Sequence, residues 1–371
     1  MTSKVLIVSG FYYPYGKGGP SNTSYWLAKA LGKKGYEVTV VALNTGFDGA
    51  ITPDTWIQAE YGKVKYVSYT RLNLAIKYCW IAIQQARKAD VIHINSIFYP
   101  PSLLISCFCA INRKKVFWAP RGELSDNALT YSSSIKKIII WVARIFARRV
   151  NFHVTSASEK RDVEKIFGSR INVFQIPNYL QLIDVLQPVQ NQTFLYVGRL
   201  HPIKGLEKFI KALAASKNFT KSGFRFLIMG DDSGSYADTL KTLVLSLKLS
   251  ESVLFIGKKS GRHRNQMYAD AKFLVLPSES ENFGNVVVEA LCQGTPVIAS
   301  KGTPWKLLED YNAGYWIENS IKELSETIDI ALNIPDSLYQ QQRINALKLV
   351  QENFDIEKGV EEWIKSYQTA S

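Results

Sequence analysis

Short apolar runs alternate with longer amphipathic segments along most of the chain. The runs KVLIVSG, EVTVVAL, VIHIN, KVFWAP and FHVTSA have the length of buried strands, and segments between them such as Ser24 to Lys33 and Leu72 to Lys88 keep helical spacing. Strands each followed by a helix argue a parallel sheet wrapped by helices. After a looser stretch, PNYLQLIDVLQPVQNQ, the pattern restarts with TFLYVG, FRFLIMG, VLFIG, FLVLPS and PVIAS. Two α/β domains joined near residues 177 to 192 follow, with DIEKGVEEWIKSY as a terminal helix. No short-period repeat or low-complexity tract breaks the pattern.

Composition agrees with two domains. A chain of 371 residues exceeds one ordinary domain of roughly 100 to 200. Its 46% hydrophobic and 21% charged residues describe a globular protein with sizeable cores and exclude a fibrous or disordered one. Cys79, Cys107, Cys109 and Cys292 form no C-x-x-C pair and are too few for a disulfide scaffold, which points to a reducing compartment. The apolar run in MTSKVLIVSG is too short for the core of a signal peptide, so the chain is expected in the cytoplasm.

Charge changes the picture. Of the net +13, residues 1 to 175 hold 24 Lys and Arg against 10 Asp and Glu, whereas residues 176 to 371 hold 21 against 22. A field confined to one half suits an anionic partner, either nucleic acid or an anionic membrane face. No stretch reaches the roughly 18 apolar residues of a membrane span, the nearest being the ten of SLLISCFCAI. In Ser132 to Val150, Ile135, Ile138, Ile139, Val142, Ile145 and Phe146 make one helical stripe expected to face the core. The other side carries Lys136, Lys137, Arg144 and Arg148 beside Ile140 and Trp141, a mixture that suits a lipid interface as well as an ordinary solvated face.

Candidate chemistry lies in the glycine turns after the strands. In GFYYPYGKGGPSNTSYWLAKAL, Gly18 and Gly19 precede a helix whose expected cap is Ser21 or Asn22; the turn either approaches an anionic ligand or is a plain turn. No dinucleotide or Walker fingerprint occurs. In LYVGRLHPIKGLEKFI, Arg199 and Lys204 fall at the carboxyl end of a strand, where open α/β sheets bind ligands. Together they can neutralise a diphosphate, or they are two solvated cations. In SESENFGNVVVEALCQGTPVIAS, Glu281 precedes Phe283, Gly284, Asn285 and Val286, where a helix starts, and Glu289 lies one turn in. The helix start can hold an oxygen anion, Glu281 can accept from sugar hydroxyls and Glu289 from a ribose; the alternative is a capping acid and a surface acid.

The combination of GRLHPIKG with ESENFGNVVVEALCQGTPVIAS resembles the retaining glycosyltransferases of family 4, the glycosyl transferases group 1, marked by two acids separated by seven residues after a G-R-L-x-x-x-K-G turn. The similarity extends to Gly18, Gly19 and the Ile-Pro-Asn at Ile176 to Asn178. It implies the GT-B fold: two Rossmann-like domains facing a central cleft, residues 1–178 taking the acceptor and 179–354 the nucleotide-sugar, with a helix at about 355–371 returning to the first. Arg199 and Lys204 would then hold the diphosphate, Glu281 the donor sugar, Glu289 the ribose, and Phe283 to Val286 would form a backbone cradle. Gly18 and Gly19 would add to the donor site. No metal or other cofactor is expected, and the sequence has no Asp-x-Asp triplet.

One departure bears on the acceptor side. Where many members have His-Gly, this chain has APRGELSD, so Arg121, which stays protonated, replaces a histidine. A Pro-Arg-Gly subset is familiar among bacterial surface-polysaccharide enzymes. Arg121 and His93 are the candidate acceptor contacts, His93 being as readily a structural histidine. The resemblance favours a metal-independent front-side transfer from a nucleotide-sugar over one through a carboxylate nucleophile, with UDP favoured over GDP. The acceptor expected is a glycan or a polyprenyl-diphosphate-linked sugar of O-antigen, capsule or exopolysaccharide synthesis, met at the inner face of the cytoplasmic membrane. A GT-B sugar-nucleotide epimerase fits the spacing poorly, and a nucleic-acid-binding protein leaves the second half without a purpose.

Overall fold

Strands buried on both faces need continuous apolar runs, and the runs of this chain supply two separate sheets. The computed structural model describes residues 3–14, 19–44, 51–68, 74–130, 134–189 and 192–370. They fall into two units, Met1–Gln181 with Ile356–Ser371, and Leu182–Asp355.

In the first unit the chain runs β1 (Lys4–Ser9), α1 (Gly19–Lys33), β2 (Glu37–Leu43), β3 (Trp56–Ala59), β4 (Gly62–Val67), α2 (Leu74–Lys88), β5 (Val91–Asn95), α3 (Pro100–Ile111), β6 (Lys115–Ala119), α4 (Asp126–Thr130), α5 (Ser134–Phe146), β7 (Asn151–Val154), α6 (Ala157–Phe167) and β8 (Asn172–Gln175). The strand order is β3-β4-β2-β1-β5-β6-β7-β8, parallel except for the β3–β4 pair. Alternation splits the core between the two faces. Leu6, Val8, Ile92, Ile94 and Trp118 pack with α2, α3 and α5, while Val5, Ile7, Val38 and Phe117 pack on the other side with α1.

The second unit runs β9 (Thr193–Val197), α7 (Leu206–Ala215), β10 (Arg225–Met229), α8 (Ser235–Ser246), β11 (Val253–Phe255), α9 (Gly261–Asp270), β12 (Phe273–Leu276), α10 (Asn285–Leu291), β13 (Val297–Ser300), α11 (Leu307–Asp310), β14 (Gly314–Ile317), α12 (Ile321–Leu332) and α13 (Asp336–Asn353). Its sheet is all parallel, in the order β11-β10-β9-β12-β13-β14.

The last helix, α14 (Ile356–Thr369), belongs to the first unit and completes its second core with Ile356, Val360, Trp363 and Tyr367. Lys33 and Lys34 at the end of α1 pair with Glu357 and Glu361, each at 2.5 Å. Tyr179 donates its hydroxyl to Glu362, and the Ile356 amide donates to the Leu180 carbonyl at 3.0 Å. Those two contacts tie residues 179 and 180 to the first unit, which extends to Gln181, slightly beyond the boundary expected at 178.

Three local expectations are corrected. The helix expected to be capped by Ser21 or Asn22 already begins at Gly19, since Pro20 fits a first helical turn. The strands β3, β4, β8 and β14 were absent from the expected set; β3 is an exposed antiparallel edge and shows little of the apolar run that marks the others. The stripe expected to bury α5 is rotated: Ile139, Ala143 and Phe146 are buried, whereas Ile135, Ile138 and Ile145 are exposed together with Trp141. Residues 132 and 133 of that segment lie outside the described residues.

Gly359 fixes how closely α14 approaches. A methyl group there would lie 2.2 Å from the Tyr179 ring. Gly359→Ala is therefore expected to destabilise the first unit by about 1–3 kcal/mol, the cost of overpacking a tight core contact. Thermal unfolding of the variant against the wild type checks this; an unchanged transition would mean that α14 docks more loosely.

Candidate functional site

In the second sheet the strand order reverses at the adjacent pair β9 and β12, and the loops leaving the carboxyl ends of these two strands meet there. One loop carries Gly198, Arg199 and Lys204, the other Glu281. The Glu279 amide donates to the Ile203 carbonyl at 2.8 Å and so ties the loops together. Gly205 makes the approach possible: it is left-handed (φ 68°), and a side chain on it would come within 1.9 Å of the Pro277 carbonyl oxygen. Lys204, just before it, thereby reaches Glu281 Oε2 at 2.5 Å, with both side chains largely shielded from solvent. Arg199 stays exposed, and its carbonyl accepts the Tyr196 hydroxyl at 2.9 Å.

The Glu281 loop is rigidly mounted. Its amide donates to the Gly302 carbonyl at 3.0 Å, and Ser278 Oγ lies 3.4 Å from the carboxylate. Phe283 is buried against Trp305 and Phe354, and its carbonyl accepts Trp305 Nε1 at 2.5 Å. Gly284, left-handed at φ 82°, turns the chain into α10 at Asn285 and Val286.

Glu289, on the second turn of α10, does not stand alone. Its Oε2 accepts from both Arg264 Nη2 and the Tyr268 hydroxyl, the latter at 2.6 Å. Arg264 and Tyr268 lie one turn apart on α9, facing the same way. Burial works against the Arg264 charge, but Tyr268 and Glu289 outweigh it and hold its pKa above the usual value. Burial, reinforced by Glu289, keeps the Tyr268 hydroxyl protonated. Sequence reasoning missed this pair. Its only trace in GRHRNQMYAD is the i,i+4 spacing of an Arg and a Tyr, which says nothing about a partner 21 or more residues on.

In the first unit Arg121, in the turn after β6, has φ 58°, an unusual conformation for a residue with a side chain. Its Nε donates to Asn95 Oδ1 at 2.8 Å and its Nη1 to Asn178 Oδ1 at 3.0 Å, bracketing the end of β5 and the Ile-Pro-Asn segment. Burial lowers its pKa to about 10, with Glu159 opposing. Glu159 in turn accepts from the Gly122 and Thr155 amides at 2.7 and 2.8 Å. His93 is buried on β5, its Nε2 2.7 Å from the Tyr367 hydroxyl of α14 and its ring against Phe117 and Trp363. Burial and the nearby Arg121 charge push its pKa down to about 3. His153 Nε2 donates to the Ile176 carbonyl at 2.9 Å. His93, Asn95, Arg121 and His153 line one cavity of about 20 Å³, large enough for a water molecule.

Gly18 lies outside the described residues, and Gly19 is the first residue of α1. Of the five side chains of residues 136 to 148 proposed to meet lipid, Lys137, Trp141, Arg144 and Arg148 are exposed. Lys136 turns inward, its Nζ donating to the Ala128 carbonyl at 3.0 Å and lying 5.0 Å from the centre of the Phe98 ring. Among the described residues no group of three or more His, Cys, Asp or Glu is arranged to hold a metal ion, and no helix is long and apolar enough to cross a membrane.

Comparison with known proteins covers both units. Residues 17–181 match the family model described as Glycosyltransferase Family 4, and residues 182–349 match Glycosyl transferases group 1. The chain is 26% identical over 356 residues to an uncharacterized glycosyltransferase of Haemophilus influenzae, covering 93% of this chain and 95% of that one. Among solved structures it is similar to sucrose-phosphate synthase from Thermosynechococcus elongatus, with a TM-score of 0.78, 20% identity and 99% and 98% of the two chains covered. It is similar also to Anabaena HepE in complex with UDP-glucose, with a TM-score of 0.76, 20% identity and 98% and 99% covered. The fold is thus that of the GT-B glycosyltransferases.

Burial of His93 has a consequence for stability. Its pKa of about 3 lies below the ordinary 6.5, so between those values the unfolded chain binds a proton that the folded chain refuses. The contribution is fully present above about pH 6.5 and is lost as pH falls through that window, at up to roughly 1.4 kcal/mol per pH unit. Thermal unfolding from pH 7.5 to 4.5 is expected to fall more steeply in the wild type than in His93→Gln; parallel curves would contradict the buried neutral state.

Proposed function

The chain belongs to the family 4 glycosyltransferases, the glycosyl transferases group 1, and we propose that it moves a sugar, with retention of configuration, from a UDP-sugar in preference to a GDP-sugar. The proposed acceptor is a glycan or a polyprenyl-diphosphate-linked sugar of bacterial O-antigen, capsule or exopolysaccharide synthesis. The observation that carries the donor side is the pairing of Lys204 with Glu281 at the strand-order reversal of the second sheet, with Glu289 nearby in sequence on the helix that follows. The UDP-glucose bound to Anabaena HepE, a protein of similar fold, supports the preference for UDP.

On this reading Arg199 and Lys204 bind the diphosphate, Glu281 accepts hydrogen bonds from the donor sugar, and Glu289 holds the ribose. Phe283, Gly284, Asn285 and Val286 give the backbone cradle, and Gly18 and Gly19 are further proposed donor contacts. Arg264 and Tyr268 keep the Glu289 carboxylate in one rotamer, which shortens the list of conformations to be frozen on binding. Transfer proceeds by front-side attack: the acceptor oxygen bonds to the anomeric carbon as the bond to the β-phosphate oxygen breaks, and that phosphate oxygen takes the acceptor proton. Charge grows on the leaving diphosphate, and the two cations are the protein's means of stabilising it without a metal. Arg121 and His93 remain the acceptor-side candidates; the bracket from Asn95 to Asn178 suits Arg121 to shaping the pocket wall. The enzyme works peripherally at the cytoplasmic face of the membrane, with Lys137, Trp141, Arg144 and Arg148 of the α5 segment in contact with lipid and Lys136 supporting them from behind.

Calorimetry with UDP, GDP, ADP and their common sugars, without added metal, tests the donor site. One nucleotide is expected to bind, and Glu289→Ala to abolish that binding; no binding by any of them would end the assignment. Lys204→Ala is expected to lower kcat by roughly two to three orders of magnitude, the scale of losing one preorganised charge partner. A kcat within threefold of wild type would exclude that role. Because Glu281 pairs with Lys204, Glu281→Gln is expected to bind UDP up to about fivefold more tightly, the scale of a weak ion pair, while transfer falls. Weaker UDP binding in that variant would mean that Glu281 does not compete for the lysine.

A further inference from the structure

We infer that the first unit docks on an anionic lipid bilayer through a face built jointly by α2, α3 and α5, with the ends of these helices as its basic rim. The inference deepens the proposal that α5 meets the membrane and rests on it, adding two helices that the sequence pattern did not single out as a lipid face. The three helices pack side by side on one face of the sheet, α3 in the middle. Each turns apolar side chains away from that sheet: Ile76 and Trp80 on α2, Leu104 and Ile111 on α3, and Ile138 and Trp141 on α5, every one more than half exposed. Residues 104, 108 and 111 keep helical spacing, and α3 holds no charged residue at all. A helix apolar on both sides buries only one of them in the core, and the other side is left to water.

The rim follows from topology. The α2 helix, the α3 helix and the short turn after α5 each end just before a strand, and those strands, β5, β6 and β7, are adjacent and parallel. Arg87, Lys88, Arg113, Lys114, Arg148 and Arg149 are therefore gathered at one end of the sheet, opposite the end that carries Asn95 and Arg121. Arg87 lies 5.7 Å from the centre of the Phe108 ring, tying the rim to the apolar face. From residue 74 to 150 there are twelve Lys and Arg against three Asp and Glu. The three acids are engaged elsewhere: Asp90 with the Lys4 amide, Glu123 with the Ile97 and Phe98 amides, and Asp126 with Lys165.

Charge decides the occupant. A second copy of the chain would bring like charges together, whereas an anionic bilayer offers acyl chains to the stripe and phosphates to the rim at the same depth. Paired tryptophans on the outer helices, Trp80 and Trp141, suit the headgroup level.

The test is sedimentation of the full chain with phosphatidylcholine vesicles and with vesicles in which roughly a third of the lipid is phosphatidylglycerol. The wild type is expected to bind the anionic vesicles and not the neutral ones. Trp80→Ser with Leu104→Ser is expected to lower that partition at least tenfold, as is Arg148→Glu with Arg149→Glu, and all variants should keep the wild-type affinity for UDP. The charge variant substitutes only exposed groups, so it stands if the apolar one folds poorly. If Trp141→Ser releases the protein while the α2 and α3 variant binds as before, docking is confined to α5: this inference falls and the earlier proposal stands. Equal binding to both vesicle types, or binding to neither, overturns both. Light scattering that shows a dimer dissociated by the same apolar substitutions overturns the lipid assignment in favour of self-association.

Discussion

A parallel sheet has a direction, and that polarity arranges everything else in this protein. All the strands of a parallel sheet finish at the same end, and where the order of connection reverses the two departing loops are left without a helix between them. In the second unit that gap falls between β9 and β12, and it holds Lys204 against Glu281. In the first it falls between β1 and β5; Asn95 ends β5 there, and the Arg121 turn at the neighbouring end of β6 bonds to it. In the first unit the opposite ends of β5, β6 and β7 receive the helix C-termini, and there the chain places Arg87, Lys88, Arg113, Lys114, Arg148 and Arg149.

The candidate site is preorganised by backbone as much as by side chains. Gly205 is pressed against the Pro277 carbonyl, the Glu279 and Glu281 amides are bonded into neighbouring loops, and Phe283 is locked under Trp305. Such a scaffold leaves the two charged groups little freedom, and they pair with each other. A diphosphate carries more charge than one carboxylate and would offer the lysine a stronger partner than Glu281.

Much of this was legible in the sequence, for identifiable reasons. Ten of the strands announce themselves as continuous apolar runs because both their faces are buried, and the returning helix shows in the period of Ile356, Val360, Trp363 and Tyr367. The edge strand β3 was not legible, since an exposed strand with one neighbour carries no such signal. The α5 stripe misled because six apolar residues at helical spacing cannot tell which arc faces the sheet; Ala143, a small residue outside the stripe, proved to be the centre of the contact. Glu281 and Glu289 stood out by spacing within one segment, and so did Lys204. Arg264 and Asn95 did not, and Asn178 showed only as part of the Ile-Pro-Asn motif, because each finds its partner only after the chain has folded back on itself.

The return of α14 also sets an order on biosynthesis. The second core of the first sheet lacks Val360, Trp363 and Tyr367 until the whole second unit has been translated. During that interval α1 and the inner face of β1, β2 and β6 are covered only in part, and His93 has no tyrosine to bond. A ribosome carrying this chain therefore displays a half-finished apolar surface for as long as it takes to make the other domain. Apolar surface left open in this way is open to misassociation, and the exposure lasts until the last helix has been made.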